Sequence, residues 1–191
     1  MSEISQIKAF TERKIQRILN DPSDSAARAA MARLRRGIGH TPGELPELWG
    51  DFLLDMPEEL LGSGSYTSRA EWAIYTALTL FAFHQQSKSR DAEPMHRQGN
   101  SLGTAAGSLI KGENNEDRER IARRFYPVAM ASDMTELAVR LRALVSLLRS
   151  EGIALDYARL AADLYLFQIP SRADGVKLRW GEDFCKLIVK E

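Results

Sequence analysis

Residues Asp133–Gly152, DMTELAVRLRALVSLLRSEG, decide the fold class. Met134, Leu137, Ala138, Leu141, Leu144, Val145 and Leu148 recur at steps of three and four, which places them on one face of an α-helix. Asp133 stands where an N-cap is needed, with Glu136 three residues on, and Gly152 supplies a C-terminal stop. Ile4, Ile7, Ile15 and Ile18 mark a first amphipathic helix that ends at Asn20-Asp21-Pro22. Ala27, Ala30, Met31 and Leu34 mark a second, which stops at Gly37. Residues 38–64 are rich in Gly and Pro and read as turns and short helices around Leu48–Leu54 and Leu60–Leu61. Ser68-Arg-Ala-Glu71 is a capping box opening an apolar helix to about Gln86, buried on most sides.

Further helices are expected at Ser101–Ile110, Asn115–Ala129, Asp156–Gln168 and Arg172–Val189, with short loops that favour antiparallel packing. No alternating strand and no hairpin dipeptide between β-branched runs is found. The reading is an all-α helical bundle protein with two helical subdomains. Residues 1–90 form the first. Residues 91–100 form a linker, within the polar stretch Ser87–Asn100, and residues 101–191 form a bundle-like second.

The 191 residues carry 26 Lys+Arg against 26 Asp+Glu. That balance excludes a wholly basic nucleic-acid binder and an acidic tail. One cysteine, Cys185, excludes a disulfide framework and a cysteine zinc site, and reads as a structural thiol. The N-terminus lacks the apolar core of a signal peptide. The longest uncharged apolar run, Trp72–Phe83, is shorter than the roughly 20 residues of a membrane span. A soluble cytoplasmic protein with no membrane partner is expected.

Catalytic motifs are missing. His40, His84 and His96 are not spaced as metal ligands, and no P-loop or nucleophile elbow is present. A non-enzymatic protein without metal, cofactor or catalytic residues is expected. His84 reads as a helix cap or bundle-edge residue, and Trp49, Trp72 and Trp180, each flanked by apolar neighbours, read as core.

Charge is strongly segregated. Residues 28–36, RAAMARLRR, hold Arg28, Arg33, Arg35 and Arg36 and no acid, and residues 137–149 hold Arg140, Arg142 and Arg149 and no acid. Residues 41–62 hold Glu44, Glu47, Asp51, Asp55, Glu58 and Glu59 and no Lys or Arg. Arginine outnumbers lysine 19 to 7, and its planar fork suits phosphate. Patterning alone leaves three readings open: solvated faces, pairing with the acidic segment, or a nucleic-acid track.

Several stretches together resemble one family. They are LRRG at Leu34–Gly37, PELW at Pro46–Trp49, WAIYTALTLFAFHQQ at Trp72–Gln86 and PMHRQGNSLG at Pro94–Gly103. LVSLLRSEGIALDYARLAADL at Leu144–Leu164 and LRWGEDF at Leu178–Phe184 complete the ordered set. In that order they resemble the small subunit (CasB family) of the type I-E CRISPR surveillance complex Cascade. The resemblance implies an all-α subunit with no cofactor. Its implied partners are the backbone subunit CasC, the large subunit CasA, a second copy of itself, and guide RNA. It also implies contact with the displaced strand and target DNA of the R-loop. The implied DNA-facing residues are Arg35 and Arg36, then Arg69, then Arg140 and Arg142, then Lys177 and Arg179; Arg28 and Arg33, in the same acid-free arginine run, join them as candidates from the charge pattern. Where the family often has Arg after Ser-Leu-Gly this chain has Thr104, for which Lys111 is the substitute. A helical scaffold binding only protein partners is the alternative.

Overall fold

The computed structural model describes residues 2–112 and 115–188. Among these every regular element is helical, and the one β contact is a parallel bridge between His96 and Leu155. The helices are α1 (Glu3–Leu19), α2 (Asp24–Arg36), α3 (Trp49–Phe52), α4 (Arg69–His84) and α5 (Leu102–Gly107). They continue with α6 (Asn115–Ala129), α7 (Met134–Glu151), α8 (Tyr157–Phe167) and α9 (Pro170–Ile188). No described helix is long and apolar enough to cross a membrane.

Local chemistry explains the boundaries. Ser68 and Glu71 form both halves of the predicted capping box, at 2.9 and 2.6 Å. Asp133 caps α7 by accepting from the Glu136 amide at 2.9 Å. Gly152 ends that helix with φ 66°, a left-handed conformation that suits glycine. α9 begins at Pro170, because proline lacks only an N–H that the first turn leaves unpaired anyway.

α4 is the hub. Twelve of its sixteen residues are buried, so neighbours must surround it on most sides. α2, α7, α8 and α1 do so. α8 also packs along α1, and one core cluster runs from Ile7 to Phe184. That packing crosses the stretch expected as a linker, residues 91–100. Met95 and His96 are buried there. Met95 C=O accepts from the Leu155 amide at 3.1 Å, and Arg97 N–H donates to Leu155 C=O at 3.2 Å.

The tightest helix pair is α5 on α9. Gly103 permits it: a Cβ there would stand 2.1 Å from the Trp180 carbonyl oxygen. Trp180 is fully buried, as expected, and Trp72 is partly buried. Three expectations are corrected. Trp49 is 48% exposed, since its neighbours Leu48 and Phe52 take the inward direction of that short helix. His84 is fully buried rather than at an edge. Cys185 is exposed rather than packed.

Candidate nucleic-acid interface

The ten cations expected to face DNA differ in what already holds them. Arg33 makes a bidentate pair with Asp51 at 2.7 and 2.8 Å, which holds the guanidinium even more firmly protonated. Arg28 pairs with Asp24 one helical turn away, Arg140 with Glu136 at 3.2 Å, and Lys111 with Glu151. Arg179 reaches the buried Asp163 at 3.0 Å, and that carboxylate also accepts the Trp180 indole N–H at 2.8 Å. Burial pushes the Asp163 carboxyl up, against the pull of Trp180 and Arg179. Lys177 lies 5.5 Å from the Phe167 ring centre and Arg142 5.8 Å from that of Phe83.

Arg35, Arg36 and Arg69 make no side-chain hydrogen bond or ion pair among the described residues. Arg36 and Arg69 are exposed and Arg35 is half-buried, with its pKa lowered by that burial. Arg35 and Arg36 close α2, where the helix dipole favours cations. Arg69 instead opens α4, where the dipole opposes a cation, so intramolecular stability does not explain it.

The fold joins two of these groups. Residues Gly37–Thr41, which follow Arg35-Arg36 directly, line a cleft of about 140 Å³ together with Trp72, Tyr75 and Thr76 of α4 and Thr135, Val139 and Arg142 of α7. Gly37 is fixed in its floor. Tyr75 O–H donates to the Gly37 carbonyl at 2.9 Å, and a Cβ on Gly37 would stand 2.6 Å from the Tyr75 hydroxyl oxygen. Burial pushes the Tyr75 hydroxyl up to about 12, with Glu44 and Glu47 adding to the shift. Arg179 lines a different cleft, with Lys8 of α1 and Arg159 of α8.

Several cations escaped sequence reasoning. Lys8, Arg97, Arg123, Arg124 and Arg172 are exposed and make no side-chain hydrogen bond or ion pair among the described residues. Arg123, Arg124 and Tyr126 are exposed on α6, and the exposed Met130 follows directly after it. The helical spacing of these residues was the available signal, obscured by the interleaved acids of residues 116–119.

The most distinctive sequence segments do other work. In residues 94–103, His96 Nδ1 accepts the Tyr157 amide N–H at 3.2 Å, leaving Nε2 to donate to Glu12 at 2.8 Å. Gly99 N–H donates to Asp156 at 2.8 Å, and Ser101 O–H to Asp183 at 2.7 Å. Asp183 also accepts from Arg159 at 2.8 Å. These segments bind the chain to itself. No group of His, Cys, Asp and Glu among the described residues is arranged to hold a metal ion.

Residues 30–184 match the family described as CRISPR-associated protein Cse2. CasB from Thermobifida fusca is similar in structure and sequence, at 34% identity over 94% of this chain and 97% of that one, with a TM-score of 0.74. The same fold occurs in a chain of a CRISPR RNA-guided surveillance complex. That chain is 21% identical, with 97% and 94% of the two chains covered and a TM-score of 0.70. It occurs again in M. ruber CasB, at 23% identity, 94% and 95% coverage and a TM-score of 0.68. Comparison with curated proteins gave no match. The chain therefore belongs to the CRISPR-associated Cse2 family, the CasB family of the structures it resembles.

Proposed function

We propose that this chain is a non-enzymatic small subunit of a type I-E Cascade surveillance complex in the cytoplasm, stabilising the R-loop through backbone contacts to displaced and target DNA. CasC, CasA, a second copy and guide RNA are its neighbours in this reading. One observation carries it: the segment that follows Arg35-Arg36 directly and the exposed α7 residue Arg142 line a common cleft, so the basic end of α2 and a cation of α7 meet at one feature of the surface. An R-loop exchanges one duplex for another of similar stability, so a few phosphate contacts tip the balance. Sequence-blind contacts suit a subunit that must accept any target.

Replacing Arg35 and Arg36 by Ala tests this. Each lost phosphate contact should remove about 0.7 from the slope of log K against log salt for single strands, so the double variant should lose about 1.4. An unchanged slope and unchanged R-loop stability would remove these residues from the interface.

The internal pairing of Arg28, Arg33, Arg140, Lys111 and Arg179 favours a second reading, a helical scaffold that binds only protein partners. In that case the isolated chain retains no DNA at low salt, and arginine variants fail at assembly instead.

A further inference from the structure

We propose that Lys14 is a modification site, acylated by small acyl phosphates ahead of the exposed lysines of the chain. The site lies on α1, shares no residue with the cleft at residues 37–41 and needs no nucleic acid.

Lysine is seldom buried without an acid against it. Lys14 is 7% exposed, yet its Nζ makes no hydrogen bond or ion pair among the described residues. What accompanies it is the Phe10 ring, whose centre lies 5.4 Å from Nζ. The amine is not sealed off. Lys14 lines a pocket of about 340 Å³ with Phe10, Arg13, Gln16, Arg17 and Asp55. Three cations meet one acid on that lining, and the acid, Asp55, already pairs with Arg17 at 3.3 Å. The surplus positive charge attracts an anionic reagent. Burial, reinforced by Arg17 and Arg13, pushes the Lys14 pKa below that of an ordinary lysine, against the pull of Asp55 and Asp51. A larger share of the amine is then unprotonated at neutral pH, and the free amine is the nucleophile. Lys8, on the same helix, is also unpaired among the described residues but is exposed, which makes it an internal control.

The Nζ lone pair attacks the acyl carbon, an N–C bond forms, and the C–O bond to phosphate breaks. The nitrogen's surplus proton passes to the departing phosphate. The product amide is uncharged, so the position no longer buries a cation.

The test treats the full chain with acetyl phosphate at neutral pH to low conversion, and peptide mass spectrometry compares Lys14 with Lys8. Lys14 should react on the order of tenfold faster, well within what burial does to lysines. In urea the two rates should converge, because the contrast comes from the fold. Asp55→Asn should speed Lys14 further by removing the nearby acid, and asparagine tolerates the φ of 63° at that position. Arg17→Gln should slow it, because Asp55 is then free to hold the ammonium. Neither variant should alter Lys8. Acetylation of Lys14 at or below the rate of Lys8 in the folded chain overturns the proposal, as does a preference that persists in urea. Unchanged Lys14 rates in both variants overturn it too, since the pocket charges would then not set the reactivity.

Discussion

Trp180 donates its indole N–H to Asp163 Oδ2 at 2.8 Å, and both residues are buried. The other carboxylate oxygen takes Arg179 at 3.0 Å. One acid therefore satisfies a core tryptophan and anchors an arginine that sequence alone assigns to DNA. Asp163→Ala strands the indole N–H in the core and should cost about 2 kcal/mol, the penalty of an unsatisfied buried donor. Arg179→Ala should cost about 1 kcal/mol or less, because the guanidinium is substantially exposed and solvent screens it. Urea midpoints separate the two. Equal losses would mean that the ion pair, not the indole bond, is what Asp163 serves.

Gly103 and Gly181 make a matched pair for the α5–α9 contact. A Cβ on Gly103 would sit 2.1 Å from the Trp180 carbonyl oxygen and 2.8 Å from the Phe184 nitrogen, both backbone atoms that cannot swing away. Gly103→Ala should therefore cost at least about 2 kcal/mol, lowering Tm by about 4–8 °C. Nothing lies within 4 Å of a Cβ on Gly181, in the middle of α9. Gly181→Ala should raise stability by about 0.5–1 kcal/mol through helix propensity. Calorimetry on both variants would expose a loose α5–α9 contact if Gly103→Ala melted with the parent.

The contrast between these glycines marks where sequence reading stops. Periodicity and capping are local, and they foretold α7, the Ser68–Glu71 box and the span of α6. Burial of a polar residue is set by partners far along the chain. His96 meets Glu12 and Tyr157, which lie 84 and 61 residues away, so its burial does not show in the polar stretch around it. His84 meets Tyr157 across 73 residues and read as an edge. The arginines are a different case. Their acid-free runs were legible, but whether each is committed depends on acids on another element, as with Arg33 and Asp51. The cleft at Gly37 is invisible to local pattern, because three segments far apart in the chain build it.

His84 gives the fold an acid-side weakness. With the ring neutral, its Nδ1 accepts from Tyr157 O–H at 2.8 Å. Burial, reinforced by the nearby Arg149, pushes its pKa down to about 4 from 6.5. The unfolded chain then binds more protons than the folded one between those values. Stability is full above about pH 6.5 and is lost as pH falls towards 4. From pH 7 to pH 5 this residue should remove about 2 kcal/mol. His84→Asn, which cannot titrate, should start less stable at pH 7 and show a correspondingly shallower fall. Parallel pH profiles for parent and variant would clear His84 of the effect.

Arg33 and Arg36 are three residues apart on α2 and should behave oppositely. Arg33 spends both nitrogens of its fork on Asp51, joining α2 to α3. Arg36 is exposed and makes no side-chain hydrogen bond or ion pair among the described residues. Arg33→Ala should lower stability by up to about 1 kcal/mol, the upper end for a partly exposed pair, and leave the salt dependence of DNA binding unchanged. Arg36→Ala should cost only about 0.3 kcal/mol, the dipole contribution of an exposed cation at a helix end, and reduce the salt slope by about 0.7. A guanidinium already matched to a carboxylate must surrender that bond before it can neutralise a phosphate, so only the uncommitted residue contributes its full counterion release. If Arg33→Ala lowered the slope as much as Arg36→Ala, the Asp51 pair would have to open on DNA. The paired arginines would then belong to the track along with the unpaired ones.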